Sequence, residues 1–182
     1  MEEKSPEMYE IDYSDKRSSL GNLFYHITEV GANFLMKHMS LYYILNYTWG
    51  ILMTLIGWIV FGFVQLVFKK KIVESKSWGP CLYAILFDNW GGVTLGTSIL
   101  IADRMGADWT LHTKCHECGH SFQNAIWGPF AIFLISIPSA VRYWARNIKK
   151  TEKTPYDQAW FEQSATFIGG KYYREFIEKE SD

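Results

Sequence analysis

Lys114-Cys115-His116-Glu117-Cys118-Gly119-His120-Ser121 is the stretch on which the reading of this chain turns. If it is helical, His116 and His120 stand four positions apart and lie about 40° apart around the axis, so both imidazoles can face one metal ion. Glu117 follows the first of them directly. A carboxylate there can reach a metal-bound water and serve as its general base. Two ligands leave a metal site incomplete, so another part of the chain must fold back and bring the third.

The rest of the composition bounds the answer. At 182 residues there is room for one domain with a membrane appendage. Hydrophobic residues make up 48% and aromatics 17%, and a net charge of −1 gives no field to attract nucleic acid, which is therefore excluded as an expected partner. Three cysteines, Cys81, Cys115 and Cys118, are an odd number in a chain too long for a disulfide scaffold and fit a reducing compartment. The N-terminal stretch has no short apolar core with a small-residue cleavage site, so no cleaved signal peptide is expected.

Working outward toward the N-terminus, the segment preceding the site helix reads as a hairpin. Leu82 to Phe87 and Val93 to Ala102 would be its strands and Asp88-Asn89-Trp90-Gly91-Gly92 its turn. A second membrane span over the same residues would place Asp88 and two glycines near its middle, which is costly. Further back, Leu41 to Phe68 runs without a charge. As one helix it would reach about 42 Å, against a hydrocarbon core of about 30 Å, so it is expected to be transmembrane rather than a buried core helix. Lys69, Lys70, Lys71 and Lys76 follow and place its far end on the cytoplasmic side. Before it, Leu20, Leu23, Phe24, Ile27, Val30, Phe34 and Leu35 recur at helical spacing; this amphipathic helix either packs on the domain or lies on the bilayer. Residues 1–19 are polar, without period, and expected to be a flexible tail.

Toward the C-terminus, the site helix should begin with Asp108 or Thr110 as N-cap and stop before Gly128-Pro129. Phe130 to Val141 is apolar but short and interrupted by Pro138, and Arg142, Arg146, Lys149, Lys150 and Lys153 follow. A crossing would carry that basic cluster to the face opposite Lys69, so this segment is expected to stay on, or dip into, the cytoplasmic face. Thr154-Pro155-Tyr156-Asp157 is a helix start with Thr154 as N-cap, and Gly169-Gly170 a helix end. From Lys171 a short amphipathic helix is expected. The organisation is then a tail over 1–19, an amphipathic and a transmembrane helix over 20–76, and a metal-binding domain over 77–182.

The helix opening at Pro155 carries a single glutamate, Glu162, within Trp160-Phe161-Glu162-Gln163-Ser164-Ala165-Thr166. Small residues follow it at helical spacing, Ala165, Thr166 and Gly169, and would let this helix approach the histidine helix closely. Here the chain resembles the gluzincin zinc peptidases, in which H-E-x-x-H is completed by the glutamate of a downstream E-x-x-A helix. It looks most like small bacterial membrane proteins with H-E-x-G-H-x-x-Q, then Gly-Pro, Pro-Ser and W-F-E-x-x-A-T, matched here by His116 to Gln123, Gly128-Pro129, Pro138-Ser139 and Trp160 to Thr166. The resemblance covers roughly Gly91 to Gly170. It implies a zincin-like core with one zinc ion on His116, His120 and Glu162, and Glu117 as base. The expected fold class is accordingly mainly α with a small β-hairpin, one transmembrane helix and a compact zincin-like metal-site core with membrane-associated helices. One departure stands out: membrane gluzincins often carry Asp directly after the Ala of E-x-x-A, where it orients a ligand histidine, and this chain has Thr166.

Rival readings use the same residues. Cys115 and Cys118 form C-x-x-C, a structural zinc or redox pattern, but on a helix Cys118 points about 160° away from His116 and no second pair exists. His112, one turn before His116, is an alternative third ligand. Gln123 and Asn124 are either partners of the ligands and substrate or solvated helix residues, and Arg142 either steadies an oxyanion or snorkels. The expected function is a zinc-dependent metallopeptidase, integral to the cell membrane with its metal site on the cytoplasmic side. It would hydrolyse a peptide or protein substrate, which the strand from Val93 to Ala102 could bind by β-addition. The alternative is a non-catalytic membrane scaffold that retains the metal site.

Overall fold

Two glycines decide where the central helices meet. In the computed structural model, which describes residues 14–88, 90–102, 106–149 and 158–180, helix α4 (Ala107–Trp127) crosses helix α6 (Trp160–Tyr172) at Gly119 and Gly169. A Cβ on Gly119 would lie 1.9 Å from the Ala165 carbonyl oxygen, and one on Gly169 would lie 1.6 Å from that of Cys115. The backbones themselves are in contact there. The small stripe seen in the sequence has this purpose, and Gly169-Gly170 therefore does not end the helix, which continues to Tyr172 and a π turn at Tyr173–Ile177. The expected start at Thr154-Pro155 lies outside the described residues.

Around this crossing one apolar core forms. Helix α1 (Ser19–Lys37) contributes Ala32, Leu35 and Met36, α2 (Met39–Tyr47) Tyr42, α4 Phe122 and Ala125, and α6 Ile168 and Tyr172. Large side chains buried to this degree contribute about 1.5–3 kcal/mol each, which fixes α1 and α2 to the site helices rather than to a separate unit. The terminal turn of α4 is ended by Gly128, whose φ of 53° suits glycine, as the sequence indicates. Its start differs from expectation: Gly106 is the N-cap and no side chain caps the first turn.

The chain is mostly helical with a small mixed sheet. The sheet has four strands in the order β1-β2-β4-β3: β1 (Ile72–Trp78), β2 (Cys81–Leu86), β3 (Gly92–Leu95) and β4 (Ser98–Ala102). The single hairpin expected between Leu82 and Ala102 is corrected by it. Residues 93–102 are two strands, folded on each other at Gly96 (φ 61°), and β2 runs parallel to β4 instead of turning back on it. Every residue of β4 is buried, so its alternation is invisible in the sequence, as befits a central strand covered on both faces. Strand β1, paired to β2 through the Gly79-Pro80 turn, was hidden for the opposite reason: Glu74, Ser75, Lys76 and Ser77 make it polar.

A second correction concerns Leu41 to Phe68. It is not one helix but two, α2 and α3 (Ile51–Val67), bent by 81°, and no single helix among the described residues is long and apolar enough to cross a membrane. The uncharged polar residues within the run cause the break. Asn46 is fully buried and accepts from Asn124 Nδ2 at 2.7 Å, while Thr54 Oγ1 donates to the Asn46 carbonyl at 2.9 Å. Gly50 admits Asn124, whose Nδ2 would lie 2.5 Å from a Cβ there. Backbone groups freed by the bend are thus met by side chains, which is what permits a broken helix in apolar surroundings.

A matching bend follows α4. There the chain turns through 118° into a helix whose first part is a π turn (Ile132–Ser136) and whose second is α5 (Ile137–Lys149). Pro138 does not stop this helix, because the register widens to i→i+5 immediately before it, with Ile137 N–H donating to Ile132. The two bends interlock: Trp49 Nε1 donates to Ile126 O at 3.3 Å, and the Trp49 and Phe130 rings lie 6.0 Å apart.

The outward surfaces are apolar. On α1 the stripe Leu20, Leu23, Ile27, Val30 and Phe34 points away from the core, which instead receives Thr28, Ala32, Leu35 and Met36. On α3 the exposed stripe is Leu52, Leu55, Ile56, Ile59, Phe63 and Leu66, and on the helix after Gly128 it is Phe130, Phe133, Ile137, Val141 and Trp144. Contiguous apolar surface on three helices far exceeds what single scattered hydrophobes produce.

Candidate metal centre

The helical spacing of His116 and His120 and the close approach of α6 at Gly119 and Gly169 bring three donor atoms together. His116 Nε2 and His120 Nε2 are 3.2 Å apart, and Glu162 Oε2 lies 3.1 Å from the first and 3.5 Å from the second. A tetrahedral zinc ion bound at about 2.0–2.1 Å by nitrogen and oxygen sets its ligand atoms about 3.3 Å apart, so the triangle fits such an ion. Glu162 is fully buried, flanked at the start of α6 by Trp160 and Phe161, and neither of its oxygens has a hydrogen-bond partner among the described residues.

Proton positions strengthen this. Gln123 is fully buried, and its Nε2 donates to the Phe161 carbonyl at 2.7 Å and to Ser164 Oγ at 2.8 Å. A carbonyl only accepts, so the amide is oriented with Oε1 toward His120, whose Nδ1 lies 2.7 Å from it. His120 Nδ1 therefore carries the proton and Nε2 presents its lone pair. In the tautomer in which His116 Nδ1 likewise donates, to Thr166 Oγ1 at 2.8 Å, its Nε2 presents a lone pair as well. Two imidazole lone pairs and a carboxylate then face one point, an arrangement that repels itself unless a cation lies between them.

Glu117 is nearly buried on the cleft side of α4. Its Oε2 accepts from Thr94 Oγ1 of β3 at 2.6 Å, and the same hydroxyl lies 2.8 Å from its backbone oxygen. Gly92 makes this possible: a Cβ there would lie 2.5 Å from Glu117 Oε1. His116, His120 and Glu117 line a cleft of about 1000 Å³, while Glu162 is fully buried and does not reach it. One wall is β3 with its flanking residues, Gly91 to Gly96; the other is the π turn and α5, through Ala131, Ile135, Ser139, Ala140 and Tyr143.

Of the residues singled out in the sequence, His116, His120 and Glu162 form the one candidate metal group of three found among the described residues. His112 lines the cleft a turn earlier, outside that group. Cys115 and Cys118 are free thiols buried in the interior, away from the ligands, and Cys81 Sγ donates to Ser121 Oγ at 3.3 Å behind α4. Gln123 positions His120, whereas Asn124 ties α4 to the bend between α2 and α3. Arg146 lines the cleft and Arg142 does not. Thr94 and Gly92 were not recognised, since Gly91-Gly92 read as a turn; the doubled glycine beside an alternating stretch was the one available signal.

Comparison with protein-family models and with curated proteins gives no match for this sequence, and comparison with solved structures gives none for the fold. The functional reading therefore rests on the site itself.

Proposed function

We propose that this protein is a membrane-embedded, zinc-dependent metallopeptidase of gluzincin type. The observation that carries the proposal is the convergence of His116 Nε2, His120 Nε2 and Glu162 Oε2 within 3.1–3.5 Å of one another with both Nδ1 atoms otherwise engaged. Two neutral imidazoles and one carboxylate, leaving a fourth position open, are the donor set of a catalytic zinc. When bound, zinc would acidify a water molecule and polarise the scissile carbonyl. Glu117 accepts a proton from the attacking water and delivers it to the leaving amine, and Thr94 holds its carboxylate against α4 while it does so. Strand β3, at the edge of the sheet and along the cleft, offers backbone groups to an extended substrate.

The membrane part of the proposal is supported by the exposed apolar stripes of α1, α3 and α5 and by the basic residues that close two of them, Lys69 to Lys71 after α3 and Arg142 and Arg146 on α5. The bent pairs replace the single straight span, and the basic ends favour the cytoplasmic leaflet.

The test is elemental analysis of the purified protein beside His116→Ala, Glu162→Ala and Glu117→Gln, with hydrolysis of fluorescent casein as the activity. One zinc per chain in wild type and Glu117→Gln, lost from the other two, together with cleavage by wild type alone, is the expected result. Cleavage undiminished in Glu117→Gln would sink the mechanism, a folded wild type that binds no metal would remove the metallopeptidase reading, and one that binds zinc without cleaving would favour the non-catalytic scaffold.

A further inference from the structure

The helix made of the π turn and α5 is a partition one helix thick. Its inner face lines the metal cleft, while Phe130, Phe133, Ile137 and Val141 on its outer face are 48–69% exposed. Helix α3 presents a similar outer stripe, and both helices leave the same tip, where Trp49 meets Phe130. Measured along the helix at 1.5 Å per residue, Lys69 is about 30 Å from that tip and Arg146 about 24 Å, close to the depth of a hydrocarbon core of about 30 Å. Both basic ends suit anionic headgroups, and the apolar stripes between tip and basic ends suit acyl chains, which makes lipid the occupant of these faces.

The cleft has a direction relative to this frame. Met53 and Ala131 close its end near the tip. At the other end stand Tyr143, Trp144 and Arg146, with Gly91 opposite, whose Cβ position is 3.7 Å from the Tyr143 ring. Val93 and Trp144 line the cleft yet are 38% and 62% exposed, which makes them its rim. Tyrosine, tryptophan and arginine together are the side chains that settle at a membrane–water interface. Resting on the membrane reading above, we propose that the mouth of the metal cleft lies at headgroup level, and that the site takes a membrane-anchored polypeptide at the segment just outside its anchor. Such a segment reaches β3 in extended form without leaving the surface, and the partition keeps acyl chains off the metal.

The buried native thiols, Cys81, Cys115 and Cys118, at most 2% exposed, leave introduced surface cysteines as the sites for a spin label. Val93→Cys, Trp144→Cys, Ile59→Cys, Phe133→Cys and Lys179→Cys, each checked for retained zinc, would be labelled in vesicles of phosphatidylcholine and phosphatidylglycerol. Depth is read from collision with oxygen against a water-soluble nickel complex. The expected order places Ile59 and Phe133 in the hydrocarbon, Lys179 in water, and Val93 and Trp144 near the phosphate plane. Val93 and Trp144 reading as wet as Lys179, or as deep as Phe133, would overturn the inference while leaving the membrane reading intact. Wet signals at Ile59 and Phe133 would remove the membrane reading itself. A palmitoylated casein peptide with spacers of increasing length then acts as a ruler. Cuts at a constant distance from the acyl chain support the substrate class, and cuts that follow the sequence regardless of spacer reject it.

Discussion

His116 Nδ1 and Thr166 Oγ1 lie 2.8 Å apart, so a hydroxyl and not a carboxylate faces the ring nitrogen turned away from the metal position. A neutral acceptor can fix the ring as well as a carboxylate does, but it adds less electron density to the imidazole. Replacing Thr166 with Val keeps shape and removes the acceptor. Zinc affinity measured by chelator competition is expected to fall about 10–100-fold, and Thr166→Asp to bind at least as tightly as wild type. Wild-type affinity in Thr166→Val would mean that packing alone orients His116.

Gln123 links both halves of the site, since one end holds His120 and the other holds α6 at Phe161 and Ser164. Gln123→Leu leaves the buried Phe161 carbonyl without this donor, at a cost of about 1–3 kcal/mol in a denaturant titration, and loosens zinc as well. Gln123→Glu separates the two effects: His120 keeps an acceptor while the contact to Phe161 becomes repulsive. Retained zinc affinity with lowered stability is the expected outcome for that variant. Lost affinity at full stability would contradict the assignment of Oε1 to His120.

The sequence exposed the site more fully than the fold around it. The pairing of His116 and His120 was legible because helical spacing is a local signal that survives tertiary packing, and the small-residue stripe announced the close approach of the second helix, whereas Glu162 as third ligand was implied by the gluzincin resemblance. The bend at Gly50 was not legible, because hydropathy sees Asn46, Thr48 and Thr54 only as tolerable interruptions, whereas Asn124, which binds Asn46 and the Gly50 carbonyl, lies far along the chain. The sheet was misread for a related reason. In β4 burial on both faces erased the alternation, and in β1 polar residues concealed a strand that β2 needs as its neighbour. On α1 the periodicity was right and left two directions open: Leu20, Leu23, Ile27, Val30 and Phe34 face outward, while Leu35 joins Thr28, Ala32 and Met36 toward the core.

Glycines at the α4–α6 crossing offer a test of how the third ligand is delivered. Gly119→Ala and Gly169→Ala place a methyl within 2 Å of a backbone carbonyl oxygen, so the helices must separate and carry Glu162 away from the histidines. Each should destabilise by more than the usual 1–3 kcal/mol of overpacking and abolish stoichiometric zinc binding. Gly62 is the control, with nothing within 4 Å of its Cβ position in α3. Gly62→Ala should stabilise by about 0.5–1 kcal/mol, the helical advantage of alanine. Thermal melts in detergent compare the three, and zinc retained at wild-type stability in Gly169→Ala would refute the packing argument.

Gly92 separates catalysis from metal binding. Its backbone φ is not in the left-handed region, so alanine is conformationally acceptable there and acts by bulk alone. That bulk meets the Glu117 carboxylate at 2.5 Å and Thr113 Cγ2 at 2.7 Å, while the ligand atoms of His116, His120 and Glu162 are not among its nearest contacts. Gly92→Ala should therefore keep one zinc per chain and lose turnover. A general base displaced by about 1 Å costs on the order of 10²-fold in rate, and the loss should appear in kcat more than in KM because the displaced group acts on the water rather than on substrate binding. Equal loss of zinc and activity would place Glu117 among the supports of the metal. Unimpaired turnover would remove it from the proton path, because a carboxylate that can be moved without consequence is not the base.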